Sequence, residues 1–205
     1  LRLFFIRHGE SVANVLNIIS NRGFQHPLTA LGEQQANELA AALQQAGITH
    51  LYSSPLMRAV QTAEILGAAW GLTPTVNDAL REYDCGVYEG TASEDAWRLF
   101  WEVRNAWDTG DLNARLDGGE SYLDIRARFV PFIESLIAVA GNTEARIALV
   151  GHAGTFRAMV AEVLTNITIE FVKPRKLPNA AYILAERRAD RLVCLQWAGE
   201  PVSAP

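Results

Sequence analysis

The run Leu3-Phe4-Phe5-Ile6, followed at once by Arg7-His8-Gly9-Glu10, is the stretch that decides the architecture. It is short, continuous and apolar, with no alternation, as in a strand buried on both faces of a sheet that helices cover. The polar residues begin where the apolar run stops. The same arrangement recurs at Ile147-Ala148-Leu149-Val150, which runs into Gly151-His152-Ala153-Gly154. Ligands of such sheets bind outside the carboxyl ends of the strands, and His8 and His152 both fall there.

Outward from these two strands the chain alternates. Thr29 is placed to cap a helix carrying Ala36, Leu39, Ala40 and Leu43 at helical spacing, ending near Gly47. A strand follows at Leu51-Tyr52-Ser53. Ser54-Pro55 reads as a capping hydroxyl and a first-position proline for a helix with Leu56, Val60, Ala63 and Leu66 on one face. Arg58 lies in its first turns, where the partial positive charge of a helix N-terminus disfavours a cation unless an anion binds there. A further helix starts near Ser121 with Ile125, Phe129, Phe132, Ile133, Leu136 and Ile137 inward and Pro131 inside it, and another carries Phe156, Met159, Val160, Val163 and Leu164. Final strands are expected near Ala181 to Ala185 and Leu192 to Gln196. The alternation predicts a three-layer α/β/α sandwich around a largely parallel central sheet.

At 205 residues the chain is sized for a single domain, 1–205. Periodicity weakens over 91–119, where Trp97, Phe100, Trp101 and Trp107 sit among charges, so this segment reads as a helical insertion or lid whose aromatics pack it onto the domain. The hydrophobic share of 49% is ordinary for a globular protein. A net charge of -5 supplies no electrostatic footprint for nucleic acid or acidic membranes. No stretch approaches the roughly 20 apolar residues of a membrane span. Cys85 and Cys194 lack a CxxC spacing, and a cytoplasmic location is the expectation.

Other chemistries fit poorly. His8-Gly9-Glu10 has the HxE of zinc deaminases without their PCxxC, and no HExxH or paired-cysteine spacing offers a zinc site, so no metal and no cofactor are expected. Neither GxGxxG nor GxxxxGK[ST] occurs. Gly118-Gly119-Glu120-Ser121 reads as a turn and a helix cap. The plain structural alternatives to a functional role are an ion pair at the sheet edge for Arg7 and a solvated helix face, paired with Glu10, for Arg58, while His26 and His50 read as surface residues.

Taken together, the segments resemble the histidine phosphatase superfamily, the branch of cofactor-dependent phosphoglycerate mutases and broad-specificity phosphatases. They are Arg7-His8-Gly9-Glu10-Ser11 with Asn14; Pro27-Leu28-Thr29 with Gly32 and Gln35-Ala36; Ser53-Ser54-Pro55-Leu56 with Arg58-Ala59 and Gln61-Thr62-Ala63; Leu80-Arg81-Glu82 with Gly86 and Glu89-Gly90; Gly118-Gly119-Glu120-Ser121; and Gly151-His152. Ala153-Gly154 stands where many members have two glycines, and Gln25-His26 precedes Pro27 where an acidic residue is frequent. The resemblance implies that His8 is a nucleophile forming a phosphohistidine, that Arg7, Arg58 and His152 clamp the phosphoryl group with Asn14 as a further donor and Ala153 beside it, and that Glu82 is the general acid, ahead of Glu10 and Asp84.

Phosphoryl transfer spreads charge over three equatorial oxygens, which guanidinium forks and an imidazolium meet without a metal. The activity expected is metal-independent hydrolysis of a small phosphorylated substrate. Mutase transfer is the alternative, and a noncatalytic phosphate-binding module the less favoured one. In 91–119 only Arg98, Arg104 and Arg115 are basic, fewer cations than retention of an organic acid would call for. A homodimer is compatible with a small enzyme of this type.

Overall fold

The computed structural model describes residues 1–141 and 143–203. The first apolar run becomes β1 (Arg2–Arg7), with Leu3 to Ile6 buried. Alternation along the strand sends Leu3 and Phe5 to one face and Phe4 and Ile6 to the other, each into its own apolar cluster. After the short α1 (Val12–Val15), α2 (Ala30–Ala42) starts at Thr29, whose hydroxyl accepts the Gly32 N–H at 3.0 Å. β2 (His50–Ser53), α3 (Met57–Trp70) and β3 (Thr75–Val76) follow. Ser93 caps α4 (Glu94–Asp108), and Ser121 with Asp124 forms a capping box on α5 (Tyr122–Ala140). β4 (Arg146–Gly151), α6 (Ala153–Val163) and α7 (Ile169–Val172) lead to β5 (Tyr182–Arg188), β6 (Arg191–Trp197) and β7 (Glu200–Pro201).

The strands form one sheet in the order β3-β2-β4-β1-β5-β6-β7. From β3 to β1 all pairings are parallel, and from β1 to β7 all are antiparallel. The expected largely parallel sheet is thus its crossover-connected part, because the short turn between Arg188 and Arg191 can join only antiparallel neighbours. α2 and α3 cover one face over Phe4, Ile6, Leu39 and Leu66. α5 and α6 cover the other, where Phe5, Phe129 and Phe156 meet with ring centroids 5.6 to 6.3 Å apart. Each of these fully buried phenylalanines contributes roughly 1.5–3 kcal/mol of hydrophobic stabilisation.

Two local expectations need correction. α3 starts at Met57, after an extended Leu56 that supplies no side-chain cap, so Pro55 lies outside the helix and Ser54 is not its cap. Nor is Arg58 on a solvated face, since it is 5% exposed. Among the described residues no helix is long and apolar enough to cross a membrane.

Candidate active site

Parallel pairing of β1 with β4 sets Arg7 opposite Gly151, so the chain leaves both strands side by side at their carboxyl ends. His8 and His152 are the next residues, with ring centroids 5.1 Å apart. The turn after β1 passes close to α2, where a Cβ on Gly9 would stand 2.4 Å from the Gly32 carbonyl oxygen, and that contact requires glycine. His8 Nδ1 lies 2.6 Å from the Gly9 carbonyl oxygen, an acceptor, which places the ring proton on Nδ1. Nε2 therefore carries the lone pair, and it accepts a hydrogen bond from Arg58 Nε at 3.0 Å. Burial, then the Arg58 and Arg7 charges, hold His8 well below the ordinary histidine range, so the ring is neutral at pH 7.

Arg58 is anchored by donating to the Ser20 carbonyl at 2.6 Å and to Asn21 Oδ1 at 3.4 Å. Burial pushes it down to about 10, which still leaves it charged at neutral pH. Arg7 donates to the Leu177 carbonyl at 2.8 Å and keeps a buried Nε without a partner. His152 is fully buried, with Nε2 2.7 Å from Ser54 Oγ and Nδ1 unpartnered. Burial, with the Arg58, His8 and Arg7 charges, lowers His152 well below the ordinary range. The imidazolium expected from the sequence is therefore a neutral ring in this structure, and an incoming dianion would favour its protonation.

Glu82 sits on the N-terminus of α6. Its Oε2 accepts from Gly154 N at 2.8 Å, and its Oε1 from Thr155 N at 2.6 Å and Thr155 Oγ1 at 2.8 Å. This explains the glycine of Ala153-Gly154, because a Cβ on Gly154 would stand 2.6 Å from the Glu82 carboxylate. The other acids are engaged elsewhere. Glu10 accepts from Thr29 Oγ1 at 2.8 Å rather than pairing with Arg58, and Asp84 pairs with Arg22 at 2.6 Å. Asn14 Oδ1 accepts from Ser11 and from Asn179 at 3.2 Å, so the donor that Asn14 has left for another group is its amide nitrogen.

Arg7, His8, Asn14, Arg58, Glu82 and Ala153 line a cavity of about 120 Å³ together with Trp97 and Phe100 of α4, whereas His152 is fully buried and is not among its lining residues. Two of the insertion aromatics thus face the site instead of only packing. Trp97 Nε1 donates to the Asn17 carbonyl at 2.8 Å, and Phe100 stacks on Tyr83 at 5.5 Å. Trp107 is buried, and Trp101 is half-exposed.

Residues 3–199 match the family profile described as the histidine phosphatase superfamily (branch 1). The chain belongs to the histidine phosphatase superfamily. A probable phosphoglycerate mutase GpmB of Proteus mirabilis is 33% identical over 170 residues, 80% of this chain and 75% of that protein. The mycobacterial glucosyl-3-phosphoglycerate phosphatase solved with VO3 superposes with a TM-score of 0.83 at 28% identity, covering 97% of this chain and 99% of that one. Its complex with inorganic phosphate gives a TM-score of 0.77 at 25% identity, covering 97% of each chain.

In this histidine phosphatase superfamily member, sequence reasoning missed the roles of four neighbours of the site. Ser54 turns from helix cap to hydrogen-bond partner of His152. Ser20 and Asn21 hold Arg58 from a loop without periodicity. Glu120 accepts from Arg128 Nε at 2.9 Å, Arg81 Nη2 at 3.3 Å and Asp84 N at 2.8 Å, and so steadies the segment that carries Glu82. Only the polar glutamate inside Gly118-Gly119-Glu120-Ser121 signalled that last role. His26, expected at the surface, is half-buried with Nδ1 2.6 Å from Ser20 Oγ, and His50 is exposed.

Proposed function

We propose that this chain hydrolyses phosphomonoesters through a phosphohistidine on His8, with Glu82 as general acid and base. The observation that carries the reading is the His8 ring itself, a neutral imidazole whose Nδ1 is committed to a carbonyl and whose Nε2 lone pair faces Arg58 in a cationic cavity. Entry of the phosphoryl group exchanges the Arg58–Nε2 bond for bonds from Arg58 and Arg7 to the phosphoryl oxygens, with Asn14 and His152 as further donors.

Nε2 forms the bond to phosphorus while the bond to the leaving oxygen breaks, and Glu82 gives that oxygen a proton. A monoester has its second pKa near about 6, so its monoanion can bring the proton that Glu82 relays. Water then attacks the phosphohistidine, Glu82 takes its proton, and free His8 and inorganic phosphate result. Residues 91–119 act as a lid, with Trp97 and Phe100 of α4 forming an apolar wall toward the leaving group.

The name of the Proteus mirabilis relative keeps mutase transfer as a second reading. Against it, two basic residues of the insertion point to other partners, Arg98 to Glu102 at 2.8 Å and Arg115 to Asp124 at 3.0 Å, and the third, Arg104, does not line the cavity.

Wild-type and His8→Ala proteins are incubated, with EDTA, with p-nitrophenyl phosphate, an alkyl phosphate and 3-phosphoglycerate, and both phosphate and isomerised product are measured. The expected result is phosphate release that His8→Ala abolishes, with Glu82→Gln slowing alkyl phosphates far more than p-nitrophenyl phosphate. Isomerisation without release would establish the mutase. Equal losses on both ester types would remove Glu82 as the acid.

A further inference from the structure

Arg104 and Arg157 have no carboxylate partner among the described residues, in contrast to Arg98 and Arg115 of the same insertion. Arg104 only lies over the Trp107 ring, 5.1 Å from its centroid. Arg157, on α6, donates Nη2 to the Lys173 carbonyl at 3.1 Å and leaves its buried Nε without a partner. Both line one cavity of about 200 Å³ between α4 and the α6–α7 segment, together with Lys173, Trp101, Asn105 and Asp108. Asp108 is its one lining carboxylate, with Oδ2 3.5 Å from Lys173 Nζ. Three cations against one acid leave two positive charges uncompensated.

Gathering like charges in a partly buried seam is unfavourable in itself, and a buried donor without an acceptor adds its desolvation cost. The buried Tyr83 hydroxyl has no partner either, and the positive charges that act on it are those of Arg104 and Arg157. Guanidinium donors with no acceptor of their own match the oxygens of a carboxylate or phosphate.

We propose that this cavity is an anion-binding subsite, separate from the cavity around His8, in which Arg104, Arg157 and Lys173 hold a carboxylate or phosphate group. The two cavities share no lining residue but share a helix, since Trp97 and Phe100 of α4 line the first while Trp101 and Arg104 line the second. From Phe100 to Arg104 is one helical turn, about 6 Å. The anion is either a second acidic group on the substrate or a free ion that ties the far end of α4 to α6. The former source rests on the phosphatase reading, and the latter does not.

Malonate, a dicarboxylate without a phosphoryl group, is titrated calorimetrically at low ionic strength against wild-type, Arg104→Gln and Lys173→Gln proteins, with folding checked by circular dichroism. Saturable binding to wild type, weakened about tenfold or more in each variant, is the expected result for loss of a charge-assisted contact. Absence of binding to wild type, or equal affinity in all three proteins, would overturn the subsite. KM then separates the sources. A rise in Arg104→Gln for 3-phosphoglycerate but not p-nitrophenyl phosphate assigns the site to the substrate, whereas unchanged KM beside lost malonate binding assigns it to a free anion. Malonate binding in a protein that turns over no ester would remove the phosphatase reading and keep the subsite.

Discussion

Ser54 Oγ, 2.7 Å from His152 Nε2, decides which nitrogen of that ring is left for a ligand. With Nε2 engaged, Nδ1 is the unpartnered atom, and the ring cannot turn without losing a buried hydrogen bond. Ser54→Ala should leave the fold intact yet lower kcat/KM for p-nitrophenyl phosphate about tenfold, the equivalent of one such bond. A circular-dichroism spectrum and a rate measured together check this, and an unchanged rate would show that His152 holds its place without the serine. Arg7, His8 and His152 stood out in the sequence as polar residues where buried strands end, and Arg58 as a cation in the first turns of a helix. Ser54 was not, because its partner is brought to it only by the pairing of β2 with β4.

Among the elements, α6 and the segment before it depend on each other. Two backbone N–H groups at the start of α6 hold Glu82, and that helix terminus favours a negative charge. Gly154→Ala drives a methyl group to within 2.6 Å of the carboxylate, so Glu82 must move. The expected outcome is a loss of about 1–3 kcal/mol in urea-unfolding stability together with a sharp fall in kcat on alkyl phosphates. A variant that is destabilised but fully active would separate the cap from the proposed acid. The longer helices and the buried strands were legible from periodicity and caps. α1, β3, α7 and β7 were not, since one helical turn or a two-residue strand carries no period to read. The inward face of α4 escaped for another reason: its aromatics serve the site and the core on one stripe, which spacing alone cannot divide.

For the whole molecule, the two buried histidines link folding to pH. Unfolded histidine takes up its proton near pH 6.5, whereas His8 and His152 in the fold do so only at clearly lower pH. Below about pH 6.5 the unfolded chain binds more protons than the folded one, so stability falls with falling pH, by up to about 1.4 kcal/mol per pH unit for each ring. Denaturant midpoints measured at about pH 7.5 and about pH 5.5 should show this drop, and inorganic phosphate, by favouring a charged His152, should lessen it. A phosphate-independent drop would place the linkage outside the site. The parallel character of the sheet core was legible from the alternation of strands and helices, whereas nothing local reveals that β1 pairs with β4 on one side and with β5 on the other.

Both thiols are sealed into the interior of this fold. Cys85 and Cys194 are fully buried and free, burial pushes Cys194 up to about 11 and Cys85 higher, and the Cys85 sulfur accepts from Asn21. Thiolate, the form that alkylating agents and peroxides attack, is therefore scarce at neutral pH. Iodoacetamide or hydrogen peroxide should leave the native protein unmodified by mass spectrometry and any ester hydrolysis undiminished, with labelling appearing only after denaturation. If the proposed nucleophile is the His8 nitrogen, no thiolate takes part, and turnover should persist under oxidative stress that silences an enzyme built on an exposed thiolate.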